Sequence, residues 1–290
     1  MRLANRFSVN SKIGSGGFSK VYSAKDLKTG QDVAVKIDIS SIKTGSKKAL
    51  VLYEADVLTH LHRDGTVRGI PKIHWSGYVP LKEKVGESSQ VSAVVMDRLG
   101  DDLEKVLQKR KYFKSHEVAQ LSTRLLSIIE SIHKRGILHR DLKPANIMLG
   151  YSDLDIYIAD FGLSKRYLND AGEHIPFCDN KRGLTGTPRY CSTYSHYGVE
   201  SSRRDDLQSW LFVTVYMFKG KLPWQGLSSA KKTESKKHVA KVKMDQLFSG
   251  SLCEGCPEQL RKIAKYIKEL SFEETPDYDY LKKILKELIK

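Results

Sequence analysis

The sequence lacks the features that define several classes of protein. Four cysteines in 290 residues are too few for a disulfide-stapled domain of this size. The longest nearly apolar stretch, residues 210–218, has nine residues, far short of the roughly 20 that a membrane-spanning helix needs. Residues 1–6 begin no secretory apolar segment. We therefore expect a soluble globular protein without a membrane anchor, in the reducing environment of the cytoplasm or the nucleus.

Two of the cysteines, Cys253 and Cys256, have the Cys-x-x-Cys spacing of many zinc and redox sites. Cys178 and Cys191 are too far apart in sequence to supply a matching zinc pair. No predicted strand leads into Cys253, as a thioredoxin-like site would require. A metal or redox role is therefore the weaker interpretation of these cysteines.

Positive charge is abundant: 49 Lys and Arg against 34 Asp and Glu give a formal net charge of +15. This excess favours an anionic partner, such as nucleic acid, an acidic lipid surface, a nucleotide or an acidic protein segment, or it simply keeps the surface solvated. Six lysines cluster within residues 231–243 with no Phe, Trp or Tyr among them, which argues against a nucleic-acid interface. The cluster is a nuclear signal, a substrate surface or solvated charge.

The hydrophobic pattern changes along the chain. Residues 33–37 and 91–96 are short apolar runs typical of strands, and a helix is predicted over roughly 47–61. A helical stripe follows Ser115, the predicted N-cap, and Gly136 ends that helix. Residues 207–218 are apolar nearly all round, as in a buried central helix. The pattern predicts an α+β protein with a small β-rich lobe that carries one helix and a larger, mainly helical lobe.

A glycine-rich segment near the N-terminus runs Gly14-Ser15-Gly16-Gly17-Phe18-Ser19, and a strand resumes at Val21. Glycines here let backbone N–H groups approach an anion closely, which suits a phosphate cradle, although a glycine-rich hairpin turn would have the same pattern. A Rossmann-type site is excluded because a strand, and not a helix, follows the glycines.

Lys36 ends an otherwise apolar strand, either as a snorkelling edge residue or as a charge held inside. In the following helix, Glu54 falls on the face predicted to be buried, one turn after Leu50. A carboxylate in a buried stripe is costly unless it is paired. We therefore favour an ion pair between Lys36 and Glu54 over two independent surface charges.

The most informative segment runs His139-Arg140-Asp141-Leu142-Lys143-Pro144-Ala145-Asn146. It supplies a carboxylate that can accept a proton, a lysine, and an amide that can ligate a metal. A predicted strand then delivers Asp160-Phe161-Gly162, whose carboxylate suits Mg²⁺. The order and spacing of these elements form the signature of protein kinases.

Four further sequence motifs narrow this resemblance to one family of protein kinases. They read LTGTPRY at residues 184–190, SRRDDL at 202–207, LPWQGL at 222–227 and PDYDYL at 276–281. With them, the chain resembles a serine/threonine protein kinase of the casein kinase 1 family over roughly residues 7–288. Like that family, it lacks Ala-Pro-Glu at the end of the activation segment. The resemblance implies one bilobal protein kinase domain, 1–290, with an N-lobe of residues 1–98 and a C-lobe of residues 99–290.

The resemblance also implies an ATP site made of the glycine-rich loop, a lysine, a hinge and an apolar sandwich around adenine. The residues at the matching positions are Gly14, Ser15, Gly16, Gly17, Phe18 and Ser19 over the phosphates; Lys36, paired to Glu54, on the α- and β-phosphates; Met96 as gatekeeper; the backbone of Asp97 and Leu99 at the hinge; and Ile13, Val21, Ala34 and Met148 around the ring.

By the same resemblance, Asp141 would take the proton of the substrate hydroxyl, and Asn146 and Asp160 would hold Mg²⁺. Lys143 would stabilise the charge on the transferring phosphoryl group. Asp206 would brace the catalytic loop.

The family's basic pocket for an acidic or phosphorylated residue upstream of the target hydroxyl contains an arginine, which Arg189 matches. Its lysine partner has no clean match here, and Lys232 and Lys236 are the nearest candidates. The family's Ser-Ile-Asn after the activation segment appears as Ser192-Thr193-Tyr194, which leaves the hydrogen bonding at this point open.

The predicted function is transfer of the ATP γ-phosphoryl group to Ser and Thr hydroxyls of proteins, in acidic or pre-phosphorylated segments. A pseudokinase scaffold is the alternative, but Lys36, Asp141 and Asp160 are all present. A small-molecule kinase is disfavoured by Lys143 and by the activation segment. The long tail of many family members has no counterpart here, so we expect activity without tail removal or activation-loop phosphorylation. We also expect a monomer.

Overall fold

The structure is a computed structural model that describes residues 2–17, 19–39, 49–63, 65, 67–82, 88–110, 112–150, 155–179, 183–227 and 232–289. The chain forms two compact units, Met1–Gly100 with Asp160–Gly162, and Asp101–Ala159 with Leu163–Lys290. The division at Gly100 lies close to the lobe boundary expected after residue 98. That Asp160–Gly162 belongs with the first unit was not expected from the sequence.

The first unit is built on an antiparallel sheet with strand order β1-β2-β3-β4-β6-β5. The strands are β1 (Arg2–Leu3), β2 (Phe7–Ser15), β3 (Ser19–Asp26), β4 (Asp32–Asp38), β5 (Ile73–Lys82) and β6 (Ser88–Asp97), and the helix is α1 (Leu50–Leu61). The first residues of the predicted helix, 47 and 48, lie outside the described part of the chain.

Strand β4 is apolar on both faces because both faces are covered. Val33 and Val35 lie in one buried cluster, whereas Ala34 lies in another with Val51 and Ala55 of α1. Side chains alternate along a strand, so residues with even numbers in β4 face α1. Lys36 is therefore directed to the helix that carries Glu54.

The second unit is mainly helical. Its helices are α2 (Leu103–Arg110), α3 (Ser115–Lys134), α4 (Arg203–Lys219), α5 (Lys232–Ser249), α6 (Glu258–Glu269) and α7 (Tyr278–Lys286). Strand β7 (Ile137–Leu138) pairs with β10 (Lys165–Arg166), and β8 (Ile147–Leu149) pairs with β9 (Ile156–Ile158). Short 3-10 turns occur at Pro144–Asn146, Tyr194–Tyr197 and Ser251–Cys253.

Helix α4 is the buried central helix that its composition predicted. Trp210 and Phe212 have no exposed surface. Its polar side chains are satisfied inside the core, since Thr214 bonds to Ser122 of α3 at 3.0 Å and the Trp210 indole donates to the Ser122 carbonyl at 3.1 Å. Because its buried polar groups are hydrogen-bonded, α4 is a rigid support for the loops that contact it.

The predicted N-cap of α3 is wrong by one residue. Ser115 is the first helical residue, and the cap position belongs to Lys114, whose backbone N–H donates to the Glu117 carboxylate at 2.8 Å. The carboxylate of the third helical residue therefore bonds back to the N-cap backbone, as the glutamate of a capping box does. The predicted stop is confirmed, because Gly136 follows the helix with a φ of 72° that favours glycine.

All four cysteines are free thiols. Burial raises the pKa of Cys253 to about 12 and also raises the pKa of Cys256, so both thiols are protonated at neutral pH. Within the described ranges, no helix combines the length and the apolar character needed to cross a membrane.

Candidate active site

The first unit contains the predicted ion pair and a third charged group beside it. Lys36 Nζ lies 2.6 Å from Glu54 Oε2 and 2.9 Å from Asp160 Oδ1. Glu54 is buried, and its other oxygen accepts the backbone N–H of Phe161 at 3.1 Å. The ion pair between Lys36 and Glu54 is therefore confirmed, and the same carboxylate also fixes the segment that carries Asp160.

The two carboxylates keep Lys36 charged. Burial alone would lower the pKa of Lys36, but attraction to Glu54 and Asp160 outweighs it and raises this pKa. Burial raises the pKa of Glu54 against the pull of Lys36. Lys36 is therefore a permanent cation at physiological pH, as a phosphate ligand must be.

Asp160 has a left-handed backbone conformation with a φ of 65°. Few residues other than glycine adopt this region, and where they do, the surroundings hold them there, commonly at functional sites. Here the holding contacts are the Lys36 ammonium on the side chain and the fully buried Phe161 that follows. The conformation directs a half-exposed carboxylate toward solvent.

The glycine-rich loop forms the turn between β2 and β3. The Gly16 N–H donates to the Ser19 carbonyl at 2.8 Å, and Gly14 pairs with Val21 across the hairpin. A Cβ at Gly17 would meet no atom within 4 Å, so backbone here borders open space into which an anion could fit. Phe18 lies outside the described residues.

Three of the residues expected around adenine share one apolar cluster of the first unit. Ala34 and Met96 are neighbours in the β4–β6 register, and Val21 packs against the same cluster. Ile13 on β2 is exposed, as a residue that covers a ligand would be. Met148 belongs to the second unit, where it pairs with Tyr157 in the β8–β9 hairpin.

Asp97, which is expected at the hinge, is held by its own side chain. Its carboxylate accepts the Lys72 backbone N–H at 2.9 Å and bonds to His74 Nε2 at 2.8 Å. The Asp97 N–H donates to the Lys72 carbonyl at 3.0 Å. Any adenine contact at Asp97 therefore has to use its carbonyl oxygen, and the one at Leu99 would use either backbone group.

The second unit contains the predicted catalytic loop, in which Asp141 is buried and both of its carboxylate oxygens are bonded. Lys143 Nζ donates to Oδ2 at 2.6 Å, and the Thr187 hydroxyl donates to Oδ1 at 2.7 Å. Lys143 also donates to the Thr187 hydroxyl at 3.0 Å, which closes a three-membered network. Asn146 donates to the Asp141 backbone carbonyl at 2.9 Å. The network places a carboxylate, an ammonium group and a hydroxyl within hydrogen-bonding distance of one another.

Thr187 is the residue that sequence reasoning missed. It was part of the string at residues 184–190, but it received no role because a threonine before a proline has no chemistry of its own. The sequence did place Thr187 in the activation segment, and this segment has to contact the catalytic loop. In the structure Thr187 makes that contact with Asp141, from which it is 46 positions away in sequence.

The catalytic loop is anchored by a buried carboxylate of α4. Asp206 accepts the backbone N–H groups of His139 at 2.7 Å and Arg140 at 2.8 Å, and it bonds to His133 at 3.0 Å. Burial would raise the pKa of Asp206, but the hydrogen bonds from His133 and the loop outweigh it and lower this pKa. The bracing contacts expected of Asp206 are therefore present.

The end of the activation segment is tied to α4 by side chains. The Ser192 hydroxyl donates to the Asp205 carboxylate, and Gln208 Oε1 accepts both the backbone N–H of Thr193 at 3.0 Å and its hydroxyl at 3.1 Å. These bonds supply the hydrogen-bond partners of Ser192 and Thr193, which the sequence had left open. They hold the end of the segment through buried side chains.

The residues proposed for substrate recognition are described only in part. Arg189 is 42% exposed, and its guanidinium lies 3.7 Å from the Glu104 carboxylate of α2. Lys232 and Lys236 fall within α5, but their side chains lie outside the described residues. The interpretation of the 231–243 cluster as solvated or partner-binding charge is wrong for Lys243, which has no exposed surface.

Each unit contains a residue whose side-chain oxygen is of a type that binds magnesium. In the first unit, Asp160 has a half-exposed carboxylate. In the second unit, the amide nitrogen of Asn146 is bonded to Asp141, which leaves its oxygen as the donor. Oxygen atoms of carboxylates and amides, together with substrate phosphates, are the ligands that Mg²⁺ prefers.

The order of these elements along the chain, from a β-rich unit with a glycine-rich hairpin to a helical unit with the catalytic loop, is that of the bilobal protein-kinase fold. Residues 7–287 match the family model of the protein kinase domain, and the chain belongs to that family. It is therefore a phosphotransferase. Protein kinase domains use ATP together with Mg²⁺.

Proposed function

We propose that this protein kinase is a serine/threonine kinase of the casein kinase 1 type, which phosphorylates Ser and Thr in acidic or pre-phosphorylated protein segments. The observation that carries the proposal is the network of Asp141, Lys143 and Thr187, with distances of 2.6, 2.7 and 3.0 Å. It provides a proton acceptor for a hydroxyl nucleophile and a cation for the transferring phosphoryl group.

In the proposed reaction, the substrate hydroxyl oxygen forms a bond to the γ-phosphorus of ATP, and the bond from that phosphorus to the bridging oxygen of ADP breaks. Asp141 accepts the hydroxyl proton, and Lys143 stabilises the charge on the phosphoryl oxygens. Lys36 and the glycine-rich loop bind the phosphates of ATP. Mg²⁺, when held by Asn146 and Asp160, supplies further neutralisation of phosphate charge.

Support for Ser and Thr as acceptors comes from the residues around Asp141. Lys143, two positions after the aspartate, matches the lysine of the serine/threonine family that this sequence resembles, and Thr187 of the activation segment bonds to both residues. Both side chains crowd the carboxylate, since they lie within 3.0 Å of it or of each other. We infer that a short aliphatic hydroxyl is the acceptor that fits.

Support for an acidic substrate comes from Arg189. Its guanidinium is half-exposed and is held at 3.7 Å by Glu104, in an ion pair that is weak because both side chains contact solvent. An acidic or phosphorylated side chain of a substrate can exchange with Glu104, because phosphate carries more charge than a carboxylate and offers more acceptor atoms.

We further propose that the kinase acts as a monomer in the cytoplasm or the nucleus and without activation-loop phosphorylation. Support for the last point is the anchoring of Ser192 to Asp205 and of Thr193 to Gln208, which uses no phosphate.

The test is a radiolabelled-ATP assay with casein, a phospho-primed peptide and a basic peptide, followed by identification of the phosphorylated amino acid. We expect phosphoserine and phosphothreonine, a preference for the first two substrates, and loss of turnover in Asp141→Asn. Phosphotyrosine as the main product, or equal use of the basic peptide, would contradict the substrate class. A wild-type protein that binds ATP but gives no turnover would favour the scaffold alternative.

A further inference from the structure

Helix α5 carries a lysine whose side chain has no exposed surface. Lys243 Nζ donates to the backbone carbonyl of Pro188 at 2.7 Å and to that of Cys191 at 2.6 Å. In the part of the chain that the structure describes, no carboxylate forms an ion pair with it. A buried charge is costly unless its donors are satisfied, so the two carbonyl bonds are what makes this lysine tolerable.

The surroundings of Lys243 are aromatic. Its ammonium group lies 5.1 Å from the centre of the Phe212 ring and 5.2 Å from that of Trp224, within the range of cation–π attraction. The Trp224 indole N–H donates in turn to the Arg189 carbonyl at 2.7 Å. The carbonyl groups of residues 188, 189 and 191 are therefore all bound by side chains of the core.

These carbonyls belong to a tight turn that closes on Thr187. The N–H groups of Tyr190 and Cys191 both donate to the Thr187 carbonyl at 2.9 Å. The hydroxyl of the same Thr187 donates to Asp141 at 2.7 Å and accepts from Lys143 at 3.0 Å. Lys243 therefore holds the carbonyls of the 187–191 turn, and the side chain of the first residue of that turn, Thr187, bonds to the catalytic carboxylate.

We propose that Lys243 is a positioning residue for phosphoryl transfer, which acts by holding the 187–191 turn so that Thr187 orients Asp141 and Lys143. The inference rests on the proposed function in taking Asp141 as the proton acceptor. Because Lys243 touches neither ATP nor the network directly, its loss should impair the chemical step and leave ATP binding unchanged.

The experiment compares wild type with Lys243→Met, which fills a similar volume and removes the donors, and with Lys265→Met, the same change at an exposed lysine of α6. We expect Lys243→Met to lower kcat about tenfold to hundredfold at unchanged KM for ATP, since small displacements of catalytic groups have effects of this size. Two opposite effects act on its melting temperature, since removal of a buried charge raises it and loss of the donor to two buried carbonyls lowers it, so kcat is referred to the folded fraction measured by circular dichroism. Hydrogen exchange at the Tyr190 and Cys191 amides should be faster. Lys265→Met should match wild type.

A kcat within twofold of wild type in Lys243→Met would overturn the proposal, and so would a loss of kcat that only follows a loss of folded protein. If Lys243→Met does not fold, Trp224→Phe, which removes one N–H donor from the same turn, decides the question: a lower kcat at constant KM for ATP supports the proposal and an unchanged kcat rejects it. If wild type transfers phosphate to no protein, the proposed function fails, whereas the exchange rates at Tyr190 and Cys191 still show whether Lys243 holds the turn.

Discussion

The contact between Arg189 and Glu104 predicts a specific effect of charge on substrate choice. If Glu104 competes with the substrate's acidic group for the guanidinium, then Glu104→Gln should raise kcat/KM for an acidic or phospho-primed peptide. Arg189→Gln should lower kcat/KM for the same peptide, and neither change should alter kcat/KM for a neutral peptide. ATP binding should be unaffected, because neither residue is among those expected to contact ATP.

The size of the effect follows from the geometry. Two unit charges 3.7 Å apart interact by about 1 kcal/mol in water. Because the two side chains are 42% and 25% exposed, the measured range for surface pairs, about 0.2–1 kcal/mol, applies. Removal of this competition should therefore raise kcat/KM for the acidic peptide by up to about fivefold.

The assay uses three peptides that differ only in one residue upstream of the target serine, which is phosphoserine, alanine or lysine. The matched control is Glu258→Gln, since Glu258 also lies 3.7 Å from an arginine, Arg261, on an exposed helix. The gain in Glu104→Gln should shrink in 1 M salt, where such charges are screened. A lower kcat/KM for the phosphoserine peptide in Glu104→Gln, or an equal loss on all three peptides in Arg189→Gln, would refute the reasoning.

Three further changes test the catalytic groups. Thr187→Val should lower kcat about tenfold or more at constant KM for ATP, because Asp141 loses a hydrogen bond, and Thr187→Ser should restore the rate; full activity in Thr187→Val speaks against the network. Glu54→Gln should raise KM for ATP and lower kcat, because it removes a charge that holds Lys36, and steady-state kinetics with unchanged constants would argue that Lys36 needs no partner. The lowered pKa of Asp206 predicts a stability contribution that is present above about pH 4 and is lost as the pH falls through the folded-state value. Urea unfolding between pH 7 and pH 3 should therefore show a steeper loss in wild type than in Asp206→Asn, and parallel curves would contradict this.

The ion pair of Lys36 and Glu54 could be predicted because both residues break a local pattern. Strand alternation directs Lys36 to one face of the sheet, and helix periodicity places Glu54 on a buried face. Asp160, the third member of the cluster, lies 124 positions from Lys36, and no periodicity extends over that distance. The family resemblance supplied Asp160 as a metal ligand but not as a partner of Lys36.

The contacts of the catalytic loop could also be predicted from the sequence only in part. Asp141, Lys143 and Asn146 follow one another closely, so a motif contains them all. Thr187 and Asp206 complete the arrangement from the activation segment and from α4. Both residues lie in strings that carried the resemblance, but the resemblance implied a role for Asp206 alone. A hydroxyl that donates one hydrogen bond leaves no signature in composition or charge.

Lys243 shows how a pattern that was available can still be missed. In α5 the buried residues Val239 and Leu247 lie four positions before and after Lys243, so all three share one face of the helix. This is the same argument that identified Glu54, a charge inside an apolar stripe that must have a partner. It was obscured because five neighbouring lysines made Lys243 look like one more member of a surface cluster. The net charge of +15 therefore includes at least one buried cation, Lys243, which adds nothing to the charge of the surface. Its ammonium group instead binds the carbonyl groups of the turn at residues 187–191.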